Sequence, residues 1–308
     1  LKRYSSHITA IVTVADDGGS SGVLRRELGV LPPGDIRNCL AALSTEEPLL
    51  TRLFQYRFAA GSGLEGHSFG NLFLSALSAI TGNLETAITA SSRVLAVQGQ
   101  VVPATNVDVQ LWAELENGQR IEGESNIGHA PSPIVRLGCS PERPPALPRA
   151  LEAIANADLI VLGPGSLYTS LLPNLLVPEL VGAIKRSKAP RLYICNLMTQ
   201  PGETDGLDVR GHIRAIEAQL ATLGIEPRLF NAVLAQDDLP DSDLVRYYQS
   251  RGADPVRCDA EGLRSDGYDV TQAPLQGVRP TATLRHDSRS LALAVMRFYR
   301  THRRERDQ

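Results

Sequence analysis

A loop of carboxylates, glycines and hydroxyls is the part of the sequence best equipped for chemistry. The apolar run at positions 8–14 leads almost directly into Asp-Asp-Gly-Gly-Ser-Ser-Gly at positions 16–22. The carboxylates could bind a metal, a ribose hydroxyl or a catalytic proton, and the glycines let the backbone approach a ligand closely. A helix beginning near Gly22 would direct free N–H groups towards an anion, although a single carboxylate or hydroxyl could instead serve only as its cap. The candidate ligand-binding residues are Asp16, Asp17, Gly18, Gly19, Ser20 and Ser21, of which Asp16 and Asp17 are also the candidate catalytic residues.

Two later loops offer similar polar groups. Positions 162–170 read Leu-Gly-Pro-Gly-Ser-Leu-Tyr-Thr-Ser and resemble a phosphate cradle, but they lack the lysine of a Walker loop and the G-x-G-x-x-G spacing. Positions 196–204 offer amides and hydroxyls, which suit a base or a sugar better than proton transfer. Each loop could equally be a plain connection with a capping serine or threonine. The candidate ligand-binding residues are Gly163, Gly165, Ser166, Thr169, Asn196, Thr199 and Gln200.

Three shorter segments add further candidates. Positions 32–38 predict a rigid turn into a helix, where Arg37 could reach an anion or form a surface salt bridge. Gly66-His-Ser-Phe-Gly70 matches the serine-hydrolase nucleophile elbow, but no core strand precedes it, so we reject that activity. Arg285 follows a predicted strand and is well placed to bind a phosphate in a bidentate manner. The candidate ligand-binding residues are Arg37, Asn38, His67, Asn71 and Arg285.

The elements that must position these loops alternate between strand and helix. Strands are predicted at positions 8–14, 159–162, 192–195, 229–234 and, more weakly, 282–284. Helices are predicted at positions 71–80, 84–95, 147–155, 175–186, 209–223 and 288–304. This order predicts an α/β fold, Rossmann-like and doubly wound, with a mostly parallel sheet. The loops would then emerge along one edge of the sheet and converge on one crevice.

One region breaks this alternation. Apolar residues occupy every second position from 107 to 115, and Asn117-Gly118 then supplies a favoured two-residue hairpin turn. We therefore predict a small antiparallel β insertion at about positions 101–137 within a single domain that spans residues 1–308.

Composition restricts the class of protein. The chain has 308 residues and a net charge of −3, which gives no general reason to expect nucleic acid as a partner. Its cysteines, at positions 39, 139, 195 and 258, are too far apart for a disulfide framework or a zinc motif. No signal peptide or membrane-spanning segment is apparent in the sequence. These features predict a cytoplasmic protein with reduced thiols.

Five motifs together carry a resemblance to a known family. They are Asp16-Asp-Gly-Gly-Ser-Ser-Gly22, Pro32-Pro-Gly-Asp-Ile-Arg-Asn38, Gly66-His-Ser-Phe-Gly-Asn71, Gly163-Pro-Gly-Ser-Leu-Tyr-Thr-Ser170 and Cys195-Asn-Leu-Met-Thr-Gln-Pro-Gly-Glu-Thr204. In this order they strongly resemble the YvcK family of bacterial gluconeogenesis factors, which is related to CofD, the phospholactyl transferase of deazaflavin coenzyme biosynthesis. The resemblance covers nearly the whole chain and implies the Rossmann-like fold of CofD.

The resemblance also implies a function. Members of the family bind a UDP-sugar, UDP-N-acetylglucosamine, and act in cell shape, envelope synthesis and growth on gluconeogenic carbon sources. By position, the family's UDP-sugar contacts correspond to Arg285 and Tyr248, so that an arginine would meet the diphosphate and a tyrosine face the uracil. Ser288 stands where the family often has a phosphorylatable threonine. The family usually begins with one further strand and a Gly-Gly-Gly-Thr-Gly loop that these 308 residues do not contain.

Alternatives to a regulatory binding protein stay open at this point. No reaction or cofactor is established for the family. A CofD-like transferase would move a phosphorylated group from a nucleotide donor, with Asp16 and Asp17 holding Mg²⁺ between phosphates. A dinucleotide-dependent oxidoreductase is the weaker third reading, since its glycine fingerprint is missing from the sequence. The sequence leaves homo-oligomerisation and regulatory protein partners open.

Overall fold

Strands and helices alternate along most of the chain. The structure is a computed structural model that describes residues 1–45, 48–278 and 284–306. The strands are β1 (Thr9–Val12), β2 (Gln100–Pro103), β3 (Gln110–Leu115), β4 (Arg120–Glu122), β5 (Ile134–Ser140), β6 (Ile160–Leu162), β7 (Arg191–Ile194), β8 (Ala232–Gln236), β9 (Asp269–Ala273), β10 (Gln276–Val278) and β11 (Leu284–His286). The helices are α1 (Gly19–Leu28), α2 (Gly34–Leu43), α3 (Pro48–Gln55), α4 (Phe69–Thr81), α5 (Leu84–Val94), α6 (Glu124–Ile127), α7 (Pro148–Ala155), α8 (Leu172–Leu175), α9 (Pro178–Arg186), α10 (Val209–Thr222), α11 (Ser242–Gln249), α12 (Ala260–Ser265) and α13 (Ser288–Arg306). A short π-helix, Leu167–Leu171, runs directly into α8.

Parallel pairing dominates among the strands that lead into the predicted loops. β1 pairs with β2 in parallel, and β6, β7, β8 and β9 form a parallel sheet in that order. Nearly every residue of β7 and β8 is buried, as expected for apolar parallel strands that helices cover on both faces. The predicted α/β fold with a mostly parallel sheet is therefore confirmed.

A deep cleft separates the two parallel units. Within the described residues no backbone pairing joins β1 to β6, and a cavity of about 1280 Å³ lies between these strands. Strand residues of β1 and β6 form its walls, while Asp35, Asn38 and residues 163–165 lie at its carboxyl-end rim. The loops that follow β1 and β6 therefore open onto the same edge of the molecule.

An antiparallel sheet follows β2. β3 pairs with β4 on one side and with β5 on the other, so this sheet spans residues 110–140. The predicted insertion at 101–137 overlaps it, but the first residues of that range belong to β2, which pairs in parallel with β1. A buried parallel strand shows no alternation of apolar and polar residues, and this is why the sequence pattern did not separate β2 from the insertion.

The predicted helices form close to their expected bounds, and local capping explains several of them. Asn83 caps α5 by accepting the Thr86 N–H, and Asp208 caps α10 in the same way. The helix predicted at 175–186 is divided, because Pro178 begins a new helix, α9. The strand predicted at 282–284 lies outside the described residues except for Leu284, which begins β11.

In the described ranges, no single helix is long and apolar enough to cross a membrane. Residues 167–175 and 178–186 reach the required length and composition only as a pair that is bent by 75°.

Candidate functional site

The first glycine-rich loop connects β1 to α1. Its backbone turns at Asp16, whose Oδ1 accepts a hydrogen bond from the Gly18 N–H at 2.9 Å. α1 begins at Gly19, before the expected start near Gly22, and its N-cap Gly18 provides no side-chain hydrogen bond. Gly22 has no room for a side chain, because a Cβ atom there would lie 2.1 Å from the carbonyl oxygen of Asp17. The loop therefore presents uncapped N–H groups at the start of α1.

Eight of the predicted ligand-binding residues line one small pocket at this point, which we call the α1 pocket. It has a volume of about 210 Å³ and is bordered by residues of α1, α2 and α4. The predicted residues that line it are Asp16, Gly18, Gly19, Ser20, Ser21, Arg37, Asn38 and Asn71. Gly34 and Arg57 also line it, and the sequence analysis did not single them out. Arg57 lies outside every recognised motif, so only the folded chain identifies it.

The segment around His67 docks against the first loop through its side chains. Ser20 Oγ lies 3.0 Å from His67 Nδ1 and accepts the Ser68 N–H at 3.2 Å. Asn71 Nδ2 donates to Ser21 Oγ at 3.1 Å. His67 and Asn71 are only 8% and 3% exposed. Neither side chain therefore faces bulk solvent; each is buried and contacts a serine of the first loop.

Ser68, the serine of the hydrolase-like motif, is not presented as a nucleophile. Residues 59–66 form bends and turns, so no core strand leads into the motif, and the rejection of a nucleophile elbow is confirmed. The Ser68 hydroxyl instead accepts a hydrogen bond from Arg37 Nη1 at 2.7 Å. The motif thus serves to connect α2 with the start of α4.

Four carboxyl groups gather beside the α1 pocket. Burial, and secondly the nearby Asp16, raises the pKa of Asp35 to about 6. Burial and then Asp16 also raise the pKa of Glu124 well above its ordinary value. Asp17 Oδ1 accepts hydrogen bonds from the Ser125 N–H at 2.9 Å and from the Ser125 hydroxyl at 2.7 Å. The sequence analysis missed Glu124, because it lies in the antiparallel region and no local motif marks it.

The second and third loops form one hydrogen-bonded unit. Gly163 has a φ of +87°, and a Cβ atom there would lie 2.5 Å from the last carbonyl oxygen of β7. Asn196 Oδ1 accepts from the Gly165 N–H at 3.1 Å, and Asn196 Nδ2 donates to the Gly165 carbonyl at 2.9 Å. Gln200 Nε2 donates to Ser166 Oγ at 2.8 Å. These side chains therefore use part of their hydrogen-bonding capacity to hold the two loops together.

A buried carboxylate, Glu203, ties the π-helix to the third loop. Its oxygens accept hydrogen bonds from the Tyr168 N–H and the Thr169 hydroxyl, each at 3.0 Å. Burial raises the pKa of Glu203, although these hydrogen bonds oppose the shift. Thr199 Oγ1 accepts the Asp254 N–H at 2.8 Å. Thr169 and Thr199, both predicted to bind ligand, are only 7% and 4% exposed and bond within the protein.

Tyr248 contacts the strand that carries Arg285, and that strand lies near the carboxyl end of β7. The Tyr248 hydroxyl accepts the Leu284 N–H at 2.8 Å, which fixes α11 against β11. His286 Nε2 lies 3.3 Å from the Cys195 carbonyl oxygen and so holds β11 beside the third loop. Arg285 is exposed, and its guanidinium makes no hydrogen bond or ion pair with any residue in the described ranges.

These groups lie along the same edge of the parallel strands. α6 connects them, since Ser125 bonds to Asp17 of the first loop. The turn after α6 packs against the third loop so closely that a Cβ atom on Gly202 would lie 2.9 Å from the Ala130 nitrogen. Loops that are far apart in the sequence therefore lie at one edge of the parallel strands, as expected from the order of strands and helices.

Comparison with known proteins gives consistent relatives. The family profile of 2-phospho-L-lactate transferase CofD matches residues 1–276. The gluconeogenesis factor of Bacillus subtilis is 46% identical over 292 residues, which are 95% of this chain and 90% of that protein. A relative from Nostoc sp., described with the same factor name, is 58% identical over 97% of this chain, and the chain spans 65% of its length. A crystal structure of a UPF0052 family member from Bacillus halodurans matches with a TM-score of 0.87 and 45% identity, covering 94% of this chain and 92% of that chain.

Proposed function

The chain belongs to the CofD family, among its gluconeogenesis factors, and we propose that it binds a nucleotide sugar of the UDP-N-acetylglucosamine type at the edge formed by its glycine-rich loops. In this proposal the protein is a cytoplasmic regulator. Binding of the sugar nucleotide adjusts cell-envelope synthesis and cell shape during growth on gluconeogenic carbon sources. Such a ligand is the activated sugar from which envelope polymers are made, so its concentration reports on the supply of precursor.

The unengaged guanidinium of Arg285 is the observation that carries this proposal. It is exposed beside the carboxyl end of β7, and no described residue bonds to it. A planar guanidinium with free donors suits the paired oxygens of a diphosphate. The ring of Tyr248 is fixed nearby through its hydroxyl, and an aromatic face is the usual partner of a base such as uracil. The third loop, which β11 approaches through the contact of His286 with the Cys195 carbonyl, carries amide side chains that suit a sugar.

The test is ligand-induced stabilisation. UDP-N-acetylglucosamine at about 100 times its Kd should stabilise the native protein by about 2.7 kcal/mol and raise Tm accordingly. Arg285→Ala should remove the shift, because the diphosphate loses its charged partner. Arg214→Ala, which removes an exposed arginine on α10, is the matched control and should keep the shift.

Two outcomes would contradict the proposal. The first is a melting curve of the unsubstituted protein that does not respond to millimolar UDP-N-acetylglucosamine. The second is an equal shift in both arginine variants, which would place the ligand away from Arg285.

A second candidate function is a transferase of the CofD kind, which moves a phosphorylated group from a nucleotide donor. The family match over residues 1–276 favours it, together with the carboxyl groups of the first loop. Among the described residues no group of three or more His, Cys, Asp or Glu side chains could hold a metal ion. Mg²⁺ would therefore need donor phosphate oxygens and water in addition to Asp16 and Asp17. Asp17→Asn should abolish turnover of a phosphorylated donor, and screening of donors and acceptors without product would eliminate this candidate.

A further inference from the structure

The α1 pocket contains two arginines that make no direct ion pair with a carboxylate of the described residues. Arg37 and Arg57 both line it, and neither forms an ion pair within the described part of the chain. Arg37 donates to neutral partners, the Ser68 hydroxyl at 2.7 Å and Asn38 Oδ1 at 2.8 Å, and its Nε is buried without a partner. Burial, and next the charge of Arg57, lowers the pKa of Arg37, so the two guanidinium groups repel each other. An anion between them would relieve this repulsion.

Helix α1 directs a second source of positive potential into the same pocket. Its N-cap is Gly18, its first turn holds no acidic residue, and no side chain caps it. Within the described residues, the N–H groups of Gly19, Ser20 and Ser21 donate to no acceptor. The N-terminus of a ten-residue helix with free N–H groups favours an anion. Three of the residues that line the pocket thus have backbone N–H groups available to bind an anion there.

Asn71 provides an independent indication of a ligand. Its side chain is only 3% exposed and lines the pocket. Nδ2 is satisfied by Ser21, but Oδ1 is buried without any hydrogen-bond partner in the described structure. A buried amide oxygen without a donor is costly, so the pocket is arranged for a ligand that brings an O–H or N–H group.

The pocket has room for a small group. Its volume is about 210 Å³, and one phosphoryl group with a few further atoms fits this space. Asp16 also lines the pocket and opposes an anion, and Asp35 and Glu124 lie beside it. Oδ1 of Asp16 is engaged by the Gly18 N–H, and burial raises the pKa of both neighbours, which favours their neutral forms.

We infer that the α1 pocket binds inorganic phosphate or the terminal phosphate of a phosphomonoester, held by Arg37, Arg57 and the first N–H groups of α1. Asn71 Oδ1 accepts the O–H of the singly protonated phosphoryl group. A monoester or free phosphate has a second pKa of about 6 or higher, so a singly protonated fraction is present near neutral pH and grows as the pH falls. The diphosphate of a sugar nucleotide, esterified at both ends, carries no such proton. This site is therefore separate from the sugar-nucleotide contact at Arg285 and goes beyond the function proposed above.

Titration calorimetry with inorganic phosphate tests the site directly. Arg57→Gln should weaken phosphate binding about 10-fold or more, since a charge-assisted donor is lost. Arg57 is exposed, so this variant should fold normally. Arg93→Gln removes an exposed arginine at the end of α5 and should leave the affinity unchanged. A parallel titration with glucose 6-phosphate distinguishes a phosphomonoester from free phosphate as the ligand. If glucose 6-phosphate binds more tightly than phosphate, the ligand is a monoester; if it binds equally or more weakly, the ligand is the free ion. Both results support the site.

Sulfate supplies the decisive comparison, because it has the same shape but no proton at neutral pH. The unsubstituted protein should prefer phosphate over sulfate by about 5-fold or more, and Asn71→Ala should lose this preference. Absence of phosphate binding at millimolar concentration would overturn the inference, as would equal binding of the two anions by the unsubstituted protein.

Arg285→Ala should lose the sugar nucleotide and keep phosphate, so failure of either proposal can be recognised separately. Competition between phosphate and UDP-N-acetylglucosamine would show one shared site and overturn the inference.

Discussion

The carboxyl group of Asp35 has a raised pKa, so it becomes charged at a higher pH than an ordinary aspartate. It lies in the first turn of α2, where the helix dipole normally favours a carboxylate. Burial nevertheless makes the charge costly, and Asp16 adds repulsion, so the pKa rises to about 6. The neutral acid is therefore favoured in the folded state over part of the acidic range, and the stability of the protein must depend on pH there.

At the residue scale we predict that this dependence becomes smaller in Asp35→Asn, while Glu124, whose pKa is also raised, keeps its own part of it. Because the folded pKa lies above the unfolded one, the contribution of Asp35 is fully present below about pH 4 and is lost as pH rises through about 6. The difference amounts to about 3 kcal/mol in the free energy of unfolding. Urea denaturation between pH 4 and 7 measures it. Asp238→Asn, at an exposed position, should retain the slope, and an unchanged slope in Asp35→Asn would contradict the assignment.

At the scale of elements, the second and third loops behave as one unit. Asn196 clamps the backbone of Gly165, and Gln200 holds Ser166. Glu203 then supplies acceptors to the first N–H groups of the π-helix, which has no cap of its own. A segment with irregular helical geometry needs such external partners, because its own ladder leaves donors unsatisfied. Rigidity of these two loops thus depends on a buried carboxylate and on amide side chains that bond within the protein.

Glu203→Ala should therefore destabilise the protein and weaken ligand binding together. Removing the carboxylate leaves the buried Tyr168 N–H without an acceptor, at a cost of about 1–3 kcal/mol. Urea denaturation and UDP-N-acetylglucosamine titration measure the two effects. Glu179→Ala is the matched control, since Glu179 accepts the Ala146 N–H at 2.7 Å away from these loops. It should lose stability with unchanged affinity, and equal affinity in both variants would show that the loops do not need Glu203.

At the scale of the whole molecule, the parallel strands form two units that face each other across the cleft. β1 uses one side to pair with β2, and β6 uses one side to pair with β7. The Ile8 and Val12 carbonyls accept hydrogen bonds from the segment containing β2, so the alternate residue Ile11 directs its backbone into the cleft. The Ile160 N–H bonds to Pro190, so Val161 does the same from the opposite wall. The centre of the molecule therefore contains strand edges that no described residue covers.

Residue-resolved hydrogen exchange should detect these edges in this 308-residue chain. The amides of Ile11 and Val161 should exchange at least about 10-fold faster than those of their neighbours Val12 and Leu162, which donate within the sheets. Neighbouring amides in the same strands serve as internal controls, and NMR follows all four in one experiment. Equal protection within each pair would contradict an open cleft in solution.

Local patterns in the sequence were sufficient for much of this structure. Apolar runs that end in polar or glycine-rich loops, each followed by a helical pattern, predicted β1, β6, β7 and β8 and the parallel character of the sheet. Alternation from position 107 and the Asn117-Gly118 turn predicted the antiparallel strands. Five motifs in series indicated the family, and the comparisons confirmed it. Each of these signals is contained within a few neighbouring residues, because periodicity, turns and caps are local properties of the chain.

Tertiary structure alone decided which groups meet. Ser20 contacts His67 across 47 positions, and Ser125 reaches Asp17 across 108, while Arg57 and Glu124 join the site from segments without a motif. The pairing of β2 with β1 was not predicted, because a mostly buried strand carries no alternation that could reveal its partner. Burial also set the protonation of Asp35 and Glu124, since desolvation depends on the whole fold. The sequence determined which groups the loops carry; packing over long separations decided which of them share one pocket and in which state of charge.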